Sequence, residues 1–200
     1  MNIPAPAAGA SLFVQYECVL CSHAIIDNCG VPMVRFDDLS REDLLKLIQV
    51  FARNWLAHDG CWFQVAEEEL GLDSAIDLDT KAWNRFAVTE ARRIMKEFDI
   101  PADSGLKGLE RALGYRLYAA INKQSVEWID EHTMVFRMIE CRVQKTRKEK
   151  DLAAFPCKSV GIVEFSQFAR TIDERIKTHC IHCPPDPIGR SFCAWQFTVD

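Results

Sequence analysis

The sequence predicts an α+β fold in which N-terminal helices pack on a small antiparallel sheet, followed by a C-terminal helix and a cysteine-rich loop. Three observations indicate this arrangement. Apolar residues recur at helical spacing from residue 40 to about residue 121, the period then changes to the alternation typical of strands, and cysteines concentrate near the C-terminus. The length of 200 residues suits one domain, and 48% hydrophobic residues are enough for its core.

Residues 1–35 are predicted to form a poorly ordered N-terminal extension to a single α+β domain over residues 36–200. The extension is rich in proline and glycine and has no sustained helical period. It lacks the basic start of a secretory signal, and Gln15, Tyr16 and Glu17 interrupt its apolar stretch. No apolar run approaches the roughly 18 residues that span a bilayer. We therefore expect a soluble, cytoplasmic protein that does not enter a membrane.

Three helices are predicted before residue 122. Ser40 can cap the first, and Gly60 is a point where this helix can bend or divide. The second is expected over residues 79–98, and the third follows Gly105. Their apolar stripes contain Leu44, Ile48, Phe51 and Trp55, then Trp83, Phe86, Ala87, Ala91 and Ile94, and then Leu106, Leu109, Leu113, Leu117 and Ile121.

The period changes after residue 124. Residues 125–130 and 133–143 are predicted to be two strands joined by a short turn. The basic run from Arg142 to Lys150 is interpreted as a solvated strand end. A last helix is expected from about Ser166, residues 178–190 are interpreted as a loop because of their prolines and glycine, and residues 191–199 as a closing strand.

The charge distribution limits the classes of partner. The net charge of −5 provides no general attraction to nucleic acid or to acidic membranes, so neither is expected as a partner. The sequence contains no Walker loop, Rossmann fingerprint, HExxH or GxSxG motif. It does not indicate an oligomeric state, and an unidentified small molecule is a candidate partner.

Nine cysteines in a reducing compartment favour metal ligands over disulfides where their spacing is short. Cys180 and Cys183 form a C-x2-C pair, with Cys157 upstream and Cys193 downstream. Four thiolates suit tetrahedral zinc, and an iron–sulfur cluster is the alternative cofactor. The predicted metal ligands are therefore Cys157, Cys180, Cys183 and Cys193.

Two other interpretations of these cysteines stay open. They can be small buried hydrophobes, or Cys180 and Cys183 can be a redox pair, although such a pair normally opens a helix. In the N-terminal segment, Cys18 and Cys21 repeat the spacing and Cys29 follows. This second group can form its own site or join the first.

Two polar residues interrupt the apolar stripes of the helices. Glu90 lies seven residues after Trp83, and His58 lies three residues after Trp55. A buried carboxylate is costly unless it is paired or coordinates a metal. His58 and Glu90 are therefore candidate catalytic residues, as an acid–base pair or as metal ligands, with Asp59 and Trp62 nearby. A satisfied hydrogen bond in the core is the alternative.

Four segments carry a family resemblance: residues 58–83 (HDGCWFQVAEEELGLDSAIDLDTKAW), 90–95 (EARRIM), 155–176 (FPCKSVGIVEFSQFARTIDERI) and 180–197 (CIHCPPDPIGRSFCAWQF). They resemble the prokaryotic family DUF6125 over about residues 35–200. That resemblance implies no activity. The layout is also distantly similar to L-2-amino-thiazoline-4-carboxylic acid hydrolase-like proteins and to vinyl-reductase-type small-molecule-binding domains, which are cytosolic α+β proteins with C-terminal cysteines.

Three functions are compatible with these patterns. The first is a metal-binding protein with a four-cysteine site. The second is a hydrolase-like enzyme that uses a metal or a pocket at His58 and Glu90. The third is a small-molecule-binding sensor domain with the same pocket but no catalysis.

Overall fold

The computed structural model describes residues 33–200, and these divide into two units. The first ends at Leu44 and includes a 3-10 helix, Phe36–Asp38, and the beginning of the first α-helix. There the Ser40 hydroxyl accepts a hydrogen bond from the Asp43 backbone N–H at 3.1 Å, which is the predicted N-cap. The second unit, Leu45–Asp200, contains the rest of that helix and all the later elements.

The predicted α+β class is confirmed. The described residues form six α-helices and a four-stranded antiparallel sheet. In chain order the elements are α1 (Arg41–Leu70), α2 (Leu72–Glu97), α3 (Gly105–Tyr115), α4 (Leu117–Ile121), β1 (Lys123–Asp130), β2 (Thr133–Glu140), α5 (Arg142–Glu149), α6 (Lys158–Ile172), β3 (Lys177–His182) and β4 (Cys193–Thr198).

The sheet has the strand order β1-β2-β4-β3. The main core lies between this sheet and the helices, where Phe136 and Trp195 pack against Phe165 of α6 with ring centroids 5.6 Å and 4.7 Å away. A Cβ at Gly161 would lie 2.7 Å from the Trp195 ring, so glycine is what lets α6 approach β4 this closely. This contact places the start of α6 beside the start of β4, where two of the predicted metal ligands lie.

Several predicted boundaries were wrong. Residues 177–182 form β3 instead of a loop, because Thr178, Cys180 and His182 alternate with exposed side chains in a ladder with β4. The basic run forms helix α5 instead of a strand end. α6 begins at Lys158, eight residues before the predicted start, and α2 begins at Leu72, seven residues early.

Helix α1 differs from its prediction in two ways. It continues without interruption through Gly60. Its apolar stripe is also largely exposed, with Ile48 54% and Trp62 67% accessible, and only Ala52 and Leu56 are buried. No helix of the described residues has both the length and the hydropathy needed to cross a bilayer.

Candidate functional site

A cavity of about 300 Å³ opens in the Leu45–Asp200 unit between the helices and one end of the sheet. Aromatic and aliphatic side chains form most of its wall. Polar groups concentrate in two places, a group of thiols and a group of carboxylates. The wall includes Leu56, Phe63, Trp83, Tyr118, Met138, Val143, Phe155, Val160, Phe165 and Trp195.

Three of the four predicted metal ligands meet at the cavity. Cys157 precedes α6, Cys183 follows β3, and Cys193 begins β4. The sulfurs of Cys157 and Cys183 are 3.6 Å apart. The Trp195 indole N–H donates to the Cys193 sulfur at 3.3 Å. Residues that are distant in the sequence therefore bring their thiols to one place.

The thiols of Cys157 and Cys183 differ in proton affinity. The contact with Cys183 lowers the pKa of Cys157, and a hydrogen bond from the Gln144 amide at 3.4 Å adds to this effect. The pKa of Cys183 is raised, first by Cys157 and then by Cys193. A thiolate on Cys157 that accepts the Cys183 S–H explains both directions. Cys157 is therefore the sulfur of this pair that loses its proton first.

Hydrogen bonds fix the backbone around both sulfurs. Gln144 of α5 donates to the Phe155 carbonyl at 2.7 Å and accepts from the Phe155 N–H at 3.1 Å, which holds the segment before Cys157. The Lys158 ammonium bonds Asp186 at 2.7 Å, and the Asp186 carboxylate accepts from the Cys183 N–H at 3.2 Å. The loop after β3 is thereby attached to the start of α6.

Cys180, the fourth predicted ligand, lies in the middle of β3 and does not line the cavity. Burial raises the pKa of its thiol to about 11, while the Lys158 ammonium lowers it. Electrostatic interactions with Cys157 and Cys193 place it near the other thiols. Within residues 33–200, no three histidine, cysteine, aspartate or glutamate side chains are already arranged to hold a metal ion.

Three carboxylates line the cavity, Glu164, which is bonded to Arg116, and two without an ion-pair partner, Asp59 on α1 and Asp79 on α2. Burial raises the pKa of Asp79 to about 7, and the carboxylates of Asp59 and Glu164 add to the increase, whereas the Trp83 N–H lowers it. Burial also raises the pKa of Asp59. Asp79 is therefore able to gain or lose a proton near neutral pH.

Glu90 and His58, the predicted catalytic residues, are not paired with each other. Glu90 is buried and accepts from Arg116 at 2.9 Å, and Arg116 also donates to Glu164 at 2.6 Å. His58 is exposed on α1, with its ring 6.5 Å from the ring of Trp62. The core hydrogen bond, the other interpretation of Glu90, is what the structure shows, with a partner 26 residues away.

Of the two residues expected near His58, Asp59 lines the cavity and Trp62 does not. Cys141 lines it, and burial raises the pKa of its thiol to about 12. Cys61 is exposed. Cys18, Cys21 and Cys29 lie outside the described residues.

Three cavity residues were missed from the sequence, Asp79, Tyr118 and Asn122, and so was Gln144, which donates to the Cys157 sulfur. Asp79 and Gln144 are single polar residues on helices, where nothing local distinguishes them from solvated positions. Tyr118 lies in the short helix α4 and Asn122 directly follows it, and this segment was predicted to continue helix α3. Only the break at Arg116 turns these side chains toward the cavity, and no pattern in the sequence marked it.

Comparison with known proteins yields one match. No curated protein matches the chain. The distant similarity to hydrolase-like and vinyl-reductase-type proteins therefore stays a prediction. The model of DUF6125, described as a family of unknown function, matches residues 37–199, which include all four C-terminal cysteines. The chain therefore belongs to the DUF6125 family.

Proposed function

We propose that the chain is a metal-binding protein that holds zinc through the thiolates of Cys157, Cys183 and Cys193, with Cys180 as the fourth ligand. An iron–sulfur cluster is the alternative cofactor. The observation that carries this proposal is the 3.6 Å separation of the Cys157 and Cys183 sulfurs, with Cys193 beside them.

The separation suits a shared ion. Two sulfurs that each lie about 2.3 Å from a tetrahedral zinc ion are about 3.8 Å from each other. A disulfide would require about 2.05 Å. The observed 3.6 Å is thus close to one edge of a tetrahedral thiolate site. Because no complete ligand set is present within residues 33–200, the proposal requires side chains of the cluster to rotate when the ion binds.

The protonation of the thiols supports the same assignment. Zinc binds thiolates, so binding releases the protons that the free thiols hold. The lowered pKa of Cys157 makes it the first ligand available, and the ion must displace the proton of Cys183. This chemistry needs reduced thiols, which is consistent with the predicted cytoplasmic location.

Titration of the reduced, metal-free chain with Co²⁺ tests the proposal. Four thiolates around Co²⁺ give an intense charge-transfer absorption, which zinc should then abolish by displacing the cobalt. We expect Cys157→Ser and Cys183→Ser to lose this absorption. Cys61→Ser is the matched control, because Cys61 is exposed, and it should retain the absorption. Absence of cobalt–thiolate absorption in the unsubstituted chain would overturn the proposal.

The cavity beside the thiols is a specific reason to keep a second candidate function. A concave apolar site with a few polar groups is the usual form of a small-molecule site. The hydrolase-like and the sensor hypotheses both need such a site. Because the Glu90 carboxylate is hydrogen-bonded to Arg116, an enzyme at this cavity would have to use Asp79 or a metal for catalysis, not the His58–Glu90 pair.

A further inference from the structure

We propose that the part of the cavity formed by Asp59, Asp79, Tyr118 and Asn122 binds a small organic cation. The ligand class is an aromatic or similarly apolar molecule that carries one protonated nitrogen and, next to it, a hydrogen-bond acceptor. This inference does not rest on the metal proposal, since it uses none of the cysteines.

The two carboxylates have no ion-pair partner. Within residues 33–200, no basic side chain forms an ion pair with Asp59 or Asp79, and the basic group that interacts with Asp59 is the exposed His58 ring, which lowers the pKa of Asp59. The buried guanidinium groups nearby are engaged elsewhere, since Arg116 lies between Glu90 and Glu164, and Arg147 bonds Glu67 at 3.0 Å. The other basic residues of the wall, Arg53, Arg142 and Lys150, are exposed. Partly buried carboxylates without a counter-charge are costly, and a bound cation would reduce that cost.

One buried polar group of the same cavity, the side-chain amide of Asn122, is also unpartnered. The Asn122 carbonyl oxygen accepts from the Arg142 N–H at 2.9 Å, but its amide nitrogen is buried with no hydrogen bond in the described part of the chain. Tyr118 lines the same cavity. Buried polar groups normally have partners, so the Asn122 amide points to a ligand that supplies an acceptor.

The walls define the rest of the ligand. Trp83 and Tyr118 stack with ring centroids 6.1 Å apart, and Phe63 and Phe155 meet edge to face at 4.8 Å. Aromatic faces favour both an apolar body and a positive charge, through the quadrupole of the ring. A volume of about 300 Å³ is at the lower end for small-molecule sites, which limits the ligand to a small one.

The affinity for a cation should depend on pH in a defined direction. Asp79 faces Asp59, Glu164 and the Trp83 N–H, and its proton is lost near neutral pH. Tyr118 interacts with Glu164, Arg116, Asp59 and Cys141, and its raised pKa keeps it neutral over this range. A cation therefore binds more tightly once Asp79 is ionised, so affinity rises as the pH increases through about 7.

Calorimetric titration of the full chain with three isosteric sets tests the proposal. Each set contains an amine, the matching alcohol and the matching carboxylate: benzylamine, benzyl alcohol and benzoate; then the phenethyl and the indole-ethyl analogues. We expect saturable binding of at least one amine, tighter at pH about 8 than at pH about 6. The alcohols should bind at least about tenfold more weakly than the amine, and the carboxylates not at all.

Two Asp→Asn variants distinguish amine binding in the cavity from amine binding at the surface. Asp79→Asn should weaken amine binding about tenfold or more and remove its pH dependence. Asp77→Asn is the matched control, because Asp77 is exposed two residues away and pairs with Lys81 at 2.6 Å, and it should bind as the unsubstituted chain does. Equal effects of the two substitutions, binding of the carboxylates, or no binding by any amine would overturn the proposal. Amine binding should be the same with and without added zinc, so a failure of the metal proposal is distinguishable.

Discussion

Replacement of Arg116 by methionine should destabilise the Leu45–Asp200 unit severely. The Arg116 side chain is 2% exposed, and the carboxylates that it bonds, Glu90 and Glu164, are 9% and 11% exposed. Methionine fills part of the volume but leaves two buried carboxylates with no counter-charge. Removal of one partner from a buried ionic network typically costs about 3–5 kcal/mol. That is a large fraction of the roughly 5–15 kcal/mol by which a domain is stable.

The pH dependence of the unfolding free energy identifies the cause of the destabilisation in Arg116→Met. Burial already raises the pKa of Glu164, and the Arg116 guanidinium is the group that opposes this. In Arg116→Met the pKa of Glu164 should rise further, so the folded chain binds a proton that the unfolded chain has released. A raised carboxyl pKa makes stability fall as pH rises. The variant should therefore recover part of its loss between pH about 7 and pH about 5.

Urea unfolding followed by tryptophan fluorescence measures both effects, with the double variant Arg116→Met/Glu164→Gln as the control. The double variant should be more stable than Arg116→Met alone, because the second change removes one unpaired charge. A cost below about 1 kcal/mol for Arg116→Met would show that the buried network described above is wrong. The same conclusion would follow from a cost that does not change with pH.

Two further predictions concern packing and a buried carboxylate. Gly161→Ala should cost about 1–3 kcal/mol in urea unfolding, because its Cβ meets the Trp195 ring at 2.7 Å, whereas Gly114→Ala, where the Cβ meets nothing within 4 Å, should be neutral or stabilising. Equal effects would contradict this packing. Asp173→Asn should cost about 1–3 kcal/mol at neutral pH, because the fully buried carboxylate bonds Arg175 at 2.6 Å. The bond to Arg175 lowers the pKa of Asp173, so its contribution decreases as pH falls below about 4, and a difference between variant and unsubstituted chain that does not decrease on acidification would contradict it.

Strong periodicity made part of the fold predictable. Ser40 was recognised as a cap, and the alternation after residue 124 predicted the hairpin of β1 and β2. By contrast, β3 was interpreted as a loop, because its inward positions are Thr178, Cys180 and His182 instead of large apolar residues. Its strand conformation depends on pairing with β4, which is far along the chain, and such pairing leaves a weak local signal.

Helix α5 was missed for a related physical reason. Its buried face carries Gln144 and Arg147, and both side chains bond backbone carbonyls of the segment that follows. A helix whose buried face is polar does not produce the apolar stripe on which sequence prediction relies. The early start of α6 was missed because Gly161 occupies a contact position where only glycine fits.

The candidate site was predictable only in part. The short spacing of Cys180 and Cys183 pointed to the thiols, and the structure brings Cys157 and Cys193 to them. The partner of Glu90 was not predictable. Arg116 lies in the break between α3 and α4, and no sequence pattern near it indicates that it pairs with Glu90. Asp79 was missed likewise, because its raised pKa arises first from burial in the fold and then from carboxylates on other helices.

Elemental analysis of the reduced full chain, purified without chelators, is the measurement on which the metal assignment depends. We expect about one zinc ion per chain, or iron with a visible absorption if the cofactor is a cluster. The Cys183→Ser variant should carry none, and Cys61→Ser should carry as much as the unsubstituted chain. Metal at trace level in the unsubstituted chain, or equal amounts in all three proteins, would contradict the assignment.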